Sequence, residues 1–187
     1  EHLFTPELRL SIEAYYKDYK NYPVSTVIPT YVFISSGTDN GPNLMYGEAV
    51  SEGKGISRGI DFSLHKKLTG NGFYGMINYS LSDSRVTALV GGEKPGSFDY
   101  RHNLTIIAGY QLTNDWLVGL KFRYTTGRPF TPFDINASTI AGRGVSDFNN
   151  FNGARYKDYN RLDLRVDKKW NFRRTTFDLF LDLQNVL

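Results

Sequence analysis

The strongest constraint on the fold is an alternation of apolar and polar residues that returns in seven segments of the chain. These segments are 8–17, 56–68, 73–84, 103–112, 116–125, 161–170 and 176–187. In the fifth, Trp116, Val118 and Leu120 alternate with Gly119 and Lys121. Because successive side chains of a β-strand point to opposite faces, each segment predicts a strand with one apolar and one polar face. The sequence therefore predicts an all-β fold, an antiparallel up-and-down meander of about seven long strands.

Strand length and loop length both favour a transmembrane barrel. Strands of soluble sheets usually have about 5–6 residues, whereas a strand that crosses a bilayer needs ~9–11, as these segments provide. Short connections (69–72, 113–115, 171–175) alternate with long ones (21–55, 86–101, 127–156). Every second connection of a meander lies at the same rim, so the short turns collect at one rim and the long loops at the other. Outer-membrane barrels have this asymmetry.

Aromatic residues mark both ends of the predicted strands on the apolar face. Those beside the short turns are Phe73, Tyr110, Trp116, Trp170 and Phe177, and those near the long loops are Tyr16, Tyr79 and Tyr124. Aromatic rings favour the two membrane–water interfaces and form girdles there. We therefore expect the apolar face to contact outer-membrane lipid.

Composition excludes several classes of protein. The 187 residues include no cysteine, which rules out disulfide frameworks and thiolate sites. The net charge of +3, from 22 basic and 19 acidic residues, is too small for a dedicated nucleic-acid binder. No run reaches the ~18 consecutive apolar residues of a membrane-spanning helix.

Motifs that could carry catalysis have simpler interpretations. Gly70, Gly72 and Gly75 match the dinucleotide pattern GxGxxG, but a period-two segment follows them instead of a helix, so they predict a hairpin turn. The three histidines lack the spacing of metal ligands. The sequence thus predicts no enzyme, no metal site and no cofactor.

Paired carboxylates in the last two segments also have a structural interpretation. Asp163 and Asp167 on one predicted strand, and Asp178 and Asp182 on the next, could suggest a general acid and base. They lie beside Arg161, Arg165 and Lys169, however, so we expect cross-strand ion pairs.

Two sets of residues are candidates for contact with a solute. On the polar face, which a barrel turns towards its lumen, they are Lys121, Arg123, Arg161, Asp163 and Arg165. In the long loops, where rings and polar groups bind ligands by stacking and hydrogen bonding, they are Tyr31, Tyr46, Arg128, Phe130, Phe148 and Phe151. The proline-stiffened stretch 126–132 is expected to mark where the fifth strand leaves the wall.

Five short motifs resemble one family in their order and spacing. They are GIDF at 59–62, FDYRHN at 98–103, FRYTTGRPFTP at 122–132, YNRLDLR at 159–165 and LQNVL at 183–187. Together they resemble the C-terminal barrel strands of TonB-dependent outer-membrane receptors, in the style of Bacteroidota members. The resemblance covers nearly the whole chain.

The resemblance implies a barrel of about 22 strands with a separate N-terminal plug domain. It also implies active import of a scarce nutrient, such as an iron–siderophore, cobalamin or a glycan, driven through the TonB energy-coupling complex. A surface lipoprotein is a further candidate partner. We expect residues 1–187 to be a C-terminal part of such a barrel, with the plug domain and the last strand outside it.

Two alternatives remain open at this point. A smaller outer-membrane barrel of about eight strands, with a structural or adhesive role, would need only one more strand to close. A soluble β-sandwich or lipocalin-like binding module would instead use the rings to fill its core.

Overall fold

The computed structural model describes residues 1–33 and 48–187, which form an all-β protein. The strands are β1 His2–Thr5, β2 Leu8–Ser25, β3 Ala49–Lys66, β4 Phe73–Thr87, β5 Glu93–Pro95, β6 His102–Gln111, β7 Trp116–Thr125, β8 Pro129–Phe130, β9 Ala154–Arg155, β10 Tyr159–Asn171 and β11 Thr176–Leu183. A short helix, α1 (Ile135–Ala141), and a 3-10 turn, Phe148–Asn150, lie between β8 and β9. The described residues include no helix long and apolar enough to cross a membrane.

Eight strands follow one another in a single antiparallel sheet, in the order β1-β2-β3-β4-β6-β7-β10-β11, and the short β5 pairs with β4. The strands β8 and β9 form a separate two-stranded ladder above it. Long strands therefore neighbour the next long strand in the chain, which confirms the predicted meander. Open at both edges, the sheet has the form of a barrel wall.

The register of the sheet aligns the apolar side chains of all the long strands on one face. One cross-strand row contains Leu10, Leu64, Ile77, Ile106, Phe122 and Leu162. Within residues 1–33 and 48–187 nothing packs against this face: Ile12 is 58% exposed, Ile60 50% and Leu181 61%. A soluble protein rarely exposes a continuous apolar surface of this size. In a membrane this face contacts lipid hydrocarbon, which removes it from water as a protein core would.

Short turns close the sheet at one rim, as predicted. In the turn between β3 and β4, Gly72 has a φ of 74°, a conformation that side chains with a Cβ rarely adopt. Its N–H donates to the Thr69 carbonyl at 2.8 Å, and its own carbonyl accepts from the Gln111 N–H of the neighbouring hairpin. The GxGxxG stretch is thus a hairpin turn.

Rings and a lysine organise the short-turn rim. Phe73 lies directly opposite Tyr110, and the rings of Trp170 and Phe177 are 5.5 Å apart. The Lys168 ammonium lies 5.1 Å from the centroid of the Trp116 ring and donates to Asp115 at 3.1 Å. Such a lysine keeps its charge at the water surface while its aliphatic part lies along the apolar face.

The strands on the long-loop side extend further than the alternation predicted. The sequence placed a loop at 21–55, but β2 continues to Ser25 and β3 begins at Ala49. The two strands stay paired across a bulge near Asn21, which has a φ of 61°. Outside the hydrocarbon both faces of a strand are wet, so the apolar signal fades although the backbone ladder continues. The hairpin strand β1 was missed because its four residues are too few to show a period.

Candidate functional site

All five predicted polar-face residues lie on the face opposite the apolar one. Lys121 and Arg123 come from β7, and Arg161, Asp163 and Arg165 come from β10. Arg123 lies directly opposite Arg161, and Lys121 directly opposite Asp163. That this face lines a lumen stays a prediction, because the structure contains one part of the wall.

The ion pairs on this face run along strands rather than across them, which corrects the expectation of cross-strand pairs. Arg161 donates to Asp163 at 2.7 Å and to Gln184 at 3.1 Å. Arg165 donates to Asp167 at 2.6 Å while its guanidinium lies 4.1 Å from the centroid of the Phe180 ring. In a strand, residues i and i+2 share a face and lie close enough for arginine to reach an aspartate. Among the predicted pairs, only Lys169 and Asp178 meet across strands, at 3.7 Å.

This arrangement leaves two cations without a carboxylate partner. Within the described part of the chain, neither Lys121 nor Arg123 forms an ion pair, and the buried Nε of Arg123 has no hydrogen-bond partner. They border a pocket of about 330 Å³ that also reaches Gly119 and Asp182. The pocket is therefore a basic hollow in the polar face, with donors available for an anionic or hydroxyl-rich solute.

The long-loop end of the sheet and the loops there pack into one body. The buried hydrophobic residues of the described chain lie in this body rather than in the lower part of the wall: Val24 at the end of β2, Val86 at the end of β4, and Tyr31, Val32 and Phe151 from the loops. The ring of Tyr31 makes edge contacts with Phe148 at 5.5 Å and Phe151 at 5.7 Å between centroids. Residues from all three predicted long loops thus share one small core, which we call the loop body.

A buried carboxylate ties two of these loops together. Asp99 is fully buried and accepts hydrogen bonds from the Ser84 N–H at 2.9 Å and from the guanidinium groups of Arg101 and Arg155. Arg155 also donates to the carbonyls of Asp99 and Gly127, at 2.7 and 3.0 Å. Since a buried charge needs such partners, the Asp99–Arg155 pair fixes how residues 86–101 meet residues 127–156.

A second polar contact supports the same junction. The side-chain amide of Asn152 donates to the carbonyl of Pro95 at 2.8 Å and to the Ser97 hydroxyl at 3.1 Å. Asn152 is buried and has a φ of 51°, a left-handed conformation that asparagine tolerates better than most residues. Sequence reasoning identified Arg155 as one of the polar residues of the 127–156 loop but not its pairing with Asp99, and it missed Asn152. A single Asn or Arg in a polar loop belongs to no sequence pattern. Pro129 and Pro132, earlier in the same loop, did indicate an ordered segment.

At the base of the loop body, Asp158 closes the connection between β7 and β10. It accepts hydrogen bonds from the Tyr124 hydroxyl at 2.6 Å and from the Gly127 N–H at 3.0 Å. These two donors hold the pKa of the Asp158 carboxyl below its ordinary value, because they stabilise the ionised form. The expected exit of the wall strand at 126–132 agrees with this geometry, since β7 ends at Thr125.

The predicted loop residues divide into two groups. Tyr31 and Phe151 are 5% and 2% exposed, so they pack the loop body, and Phe148 contacts them. Phe130 packs on Tyr156 with ring centroids 4.4 Å apart, and Arg128 lies over the same ring. Tyr46 lies outside the described residues. Ligand contact by any of them stays a prediction.

A pocket at the edge of the loop body, the loop-rim pocket, includes one of the predicted loop residues, Arg128. Its volume is about 330 Å³, and Arg128, Tyr156, Tyr100 and Tyr159 line it. Within residues 1–33 and 48–187, no three His, Asp or Glu side chains lie close enough to hold a metal ion. Rings, a guanidinium and backbone groups suit binding of a solute rather than covalent chemistry.

An apolar face for lipid, a polar face behind it, short turns at one rim and a packed loop body at the other define the wall of an outer-membrane β-barrel. The sequence matches the family model "TonB dependent receptor-like, beta-barrel" over residues 2–186, so the chain belongs to the TonB-dependent receptor family. This family consists of receptors and transporters rather than enzymes, and its members lie in the outer membrane of Gram-negative bacteria. No curated protein matches the sequence significantly.

Two solved structures share the fold. The ferric-catecholate import receptor Fiu from K12 E. coli, in its closed form, is 18% identical with a TM-score of 0.65, over 98% of this chain and 21% of that one. The ferripyoverdine receptor of the outer membrane of Pseudomonas aeruginosa, bound to ferripyoverdine, is 15% identical with a TM-score of 0.65, over 96% of this chain and 21% of that one. The chain therefore spans about a fifth of the length of each receptor.

The family match decides against a smaller outer-membrane barrel, because it assigns residues 2–186 to the TonB-dependent receptor barrel. A soluble β-sandwich would bury the apolar face that this sheet leaves uncovered. Origin in Bacteroidota stays a prediction.

Proposed function

We propose that this chain is a C-terminal part of a receptor that imports a scarce nutrient across the outer membrane, of the iron–siderophore, cobalamin or glycan class. The observation that carries the proposal is the loop body, which holds ordered rings and charges above a wall whose polar face is rich in cations. Family membership supports import, and the two structural neighbours are described as receptors for iron chelates. Their likeness to this chain is one of fold, so experiment has to choose among the three classes.

The geometry suggests two stages for a solute. It first meets the loop-rim pocket beside Arg128 and Tyr156, where rings can stack on it. It then passes the basic hollow, where Lys121 and Arg123 can donate hydrogen bonds without breaking an existing ion pair. We further propose that a plug domain elsewhere in the complete receptor couples this passage to the TonB complex. A surface lipoprotein bound over the loop body is a further proposed partner.

Growth on each nutrient tests the proposal. A strain that lacks the complete receptor is supplied with it on a plasmid and grown with a ferric siderophore, cobalamin or a glycan as the limiting nutrient. We expect the receptor to restore growth on one class and to require a functional TonB protein. Restored growth without TonB, or no growth difference on any of the three, would overturn the proposal.

Variants of the basic hollow test its part in the proposed route. Lys121→Gln with Arg123→Gln is expected to slow uptake while the receptor stays folded and present at normal abundance. The matched control is Lys169→Gln, on the same face but already paired with Asp178 near the short-turn rim. Equal uptake by the double variant and the control would remove the basic hollow from the proposed route and leave the assignment as an importer untouched.

A further inference from the structure

Charged residues replace apolar ones where β2, β3 and β4 leave the membrane on the lipid-facing side. β4 begins at Phe73, and Asp83 lies ten residues further along, so the ~9–11 residues that cross a bilayer end there. In the register, Asp83 lies opposite Arg58, which lies opposite Tyr16, an exposed ring at the height expected of the upper aromatic girdle. We therefore infer that the rows above this one, on the same face of β2, β3 and β4, lie at the height of lipid headgroups.

The rows above are rich in cations. In the register, Asp18, Ile56 and Arg85 form the next row, and Lys20, Lys54, Thr87 and Glu93 form the one after it. Arg101 joins from the loop, since it donates to Asp83 at 2.9 Å. We call these five cations the outer-face cation cluster: Lys20, Lys54, Arg58, Arg85 and Arg101. Four carboxylates pair with these cations or lie in the same rows (Asp18, Asp83, Glu93 and Asp99), and Asp99 is also shared with Arg155, so the cluster carries more positive than negative charge.

The lysines at the top of the cluster repel each other. Lys20 and Lys54 lie directly opposite on neighbouring strands and on one face, an arrangement that destabilises a sheet when both residues carry the same charge. Lys20 reaches a carboxylate only at 4.0 Å, that of Asp18, and its side chain is 74% exposed. Lys54 forms no ion pair with any residue that the structure describes. An anion between the two ammonium groups would turn this repulsion into attraction.

The three arginines below these lysines all pair with the same carboxylate. Arg58 at 3.0 Å, Arg85 at 2.8 Å and Arg101 at 2.9 Å all pair with Asp83. Arg101 also pairs with Asp99, which Arg155 shares, so two carboxylates serve four guanidinium groups. The buried Nε of Arg101 has no hydrogen-bond partner among the described residues. The side chain of Arg58 is 63% exposed and lies on the face that carries Ile60 and Leu81 lower down. A lipid whose acyl chains cover those residues would bring its headgroup to Arg58.

We propose that the outer-face cation cluster binds the phosphate of a lipid headgroup in the outer leaflet, with Lys20 and Lys54 flanking the phosphate and Arg58 donating from below. The chemistry is charge-assisted hydrogen bonding to phosphate oxygens, for which guanidinium and ammonium groups are suited. A membrane lipid is the occupant, rather than a dissolved anion, because the cluster continues an apolar face that hydrocarbon covers. The proposal depends on the barrel orientation and not on which nutrient the receptor imports.

Lipid binding to the purified complete receptor tests this site. The probe is diphosphoryl lipid A, compared with the same lipid after enzymatic removal of its phosphates, with bound lipid counted by native mass spectrometry. We expect Lys20→Gln with Lys54→Gln to weaken binding of the phosphorylated lipid about tenfold or more, and to leave the dephosphorylated lipid unaffected. Arg58→Gln is expected to act in the same direction. Binding should also weaken as salt rises, because exposed charges are screened.

The matched control is Lys17→Gln, which removes a lysine from the same strand and nearly the same height but from the polar face. It should bind the lipid as the unaltered receptor does. Equal affinity of the control and the double variant, or equal binding of both forms of the lipid, would overturn the proposal. A third arm adds inorganic phosphate: if it occupies the site as well as the lipid does, the cluster is a site for a free anion and the lipid assignment is wrong.

Discussion

Gly109 is a wall position where an added side chain would clash with a neighbouring ring. On the polar face, the ring of Tyr74 lies across Gly109, and a Cβ added there would stand 2.2 Å from Cζ and 2.3 Å from the hydroxyl oxygen of Tyr74. Separations this short force the ring to move. Overpacking of this kind typically costs about 1–3 kcal/mol, against a gain of about 0.4–1 kcal/mol from the stiffer unfolded chain when alanine replaces glycine. Gly109→Ala should therefore destabilise the receptor by about 1–2 kcal/mol.

The neighbouring strand provides a matched control. Gly119 lies directly opposite Gly109, yet a Cβ there would stand 3.6 Å from the Tyr74 hydroxyl oxygen, an ordinary contact. Gly119→Ala should be neutral or stabilising, by up to about 1 kcal/mol. The two changes are chemically identical and adjacent, so a difference between them reports on the Tyr74 ring alone.

The assay is denaturant unfolding of the complete receptor from phospholipid vesicles, followed by tryptophan fluorescence. Tyr74→Ala completes a double-mutant cycle: with the ring gone, Gly109→Ala should cost nothing, which gives a coupling energy of about 1–3 kcal/mol. If Gly109→Ala is equally tolerated with and without the ring, or matches Gly119→Ala in the unaltered background, the reasoning from the Tyr74 contact is refuted.

Three further predictions concern Leu120 on the lipid-facing side, Asp99 in the loop body and Asp158 at the base of the loop body. Leu120→Arg, on the lipid face, should cost about 2–4 kcal/mol in the same vesicle assay, and full stability would place Leu120 away from lipid. Asp99→Asn should loosen the loop body by about 1–3 kcal/mol, seen as faster hydrogen exchange in 86–101 and at Ser84, whose N–H donates to Asp99, with unchanged exchange in β7, β10 and β11. Because the pKa of Asp158 is lowered in the folded state, its contribution is complete above the ordinary value of 3.8 and is lost as pH falls through the lowered pKa. Amide exchange at Gly127, corrected for intrinsic rates, should accelerate in that acid range, and Asp158→Asn should abolish the acid dependence.

The wall could be predicted from the sequence because hydrocarbon imposes a simple rule. Every second residue must be apolar for about ten positions, and every backbone group must be paired within the sheet. Trp116 to Thr125 obeys the rule at each step, and β7 has those bounds. Beyond the hydrocarbon, alternation is no longer required. The sequence therefore predicted a loop from residue 21, although β2 continues to Ser25.

The candidate site was predictable in its chemistry but not in its pairing. Alternation was enough to place Arg161 and Asp163 on the polar face. It could not show that Arg161 would reach along its own strand and leave Lys121 without an ion pair, because that choice depends on side-chain rotamers. The pairing of Asp99 with Arg155 could not be predicted for another reason. The two residues are 56 positions apart in the sequence, and the loop between them has no periodic pattern.

The distribution of burial explains why wall and loop body should respond differently to their surroundings. The fully buried apolar side chains, Val24 and Val32 among them, lie in the loop body, while the wall turns its apolar residues outward. The hydrophobic effect in water therefore stabilises the loop body, whereas contact with the bilayer stabilises the wall. Asp99 and Asn152 then add polar contacts that join one loop to another rather than to the apolar face. A change of lipid should therefore alter the stability of the wall and leave the internal packing of the loop body intact.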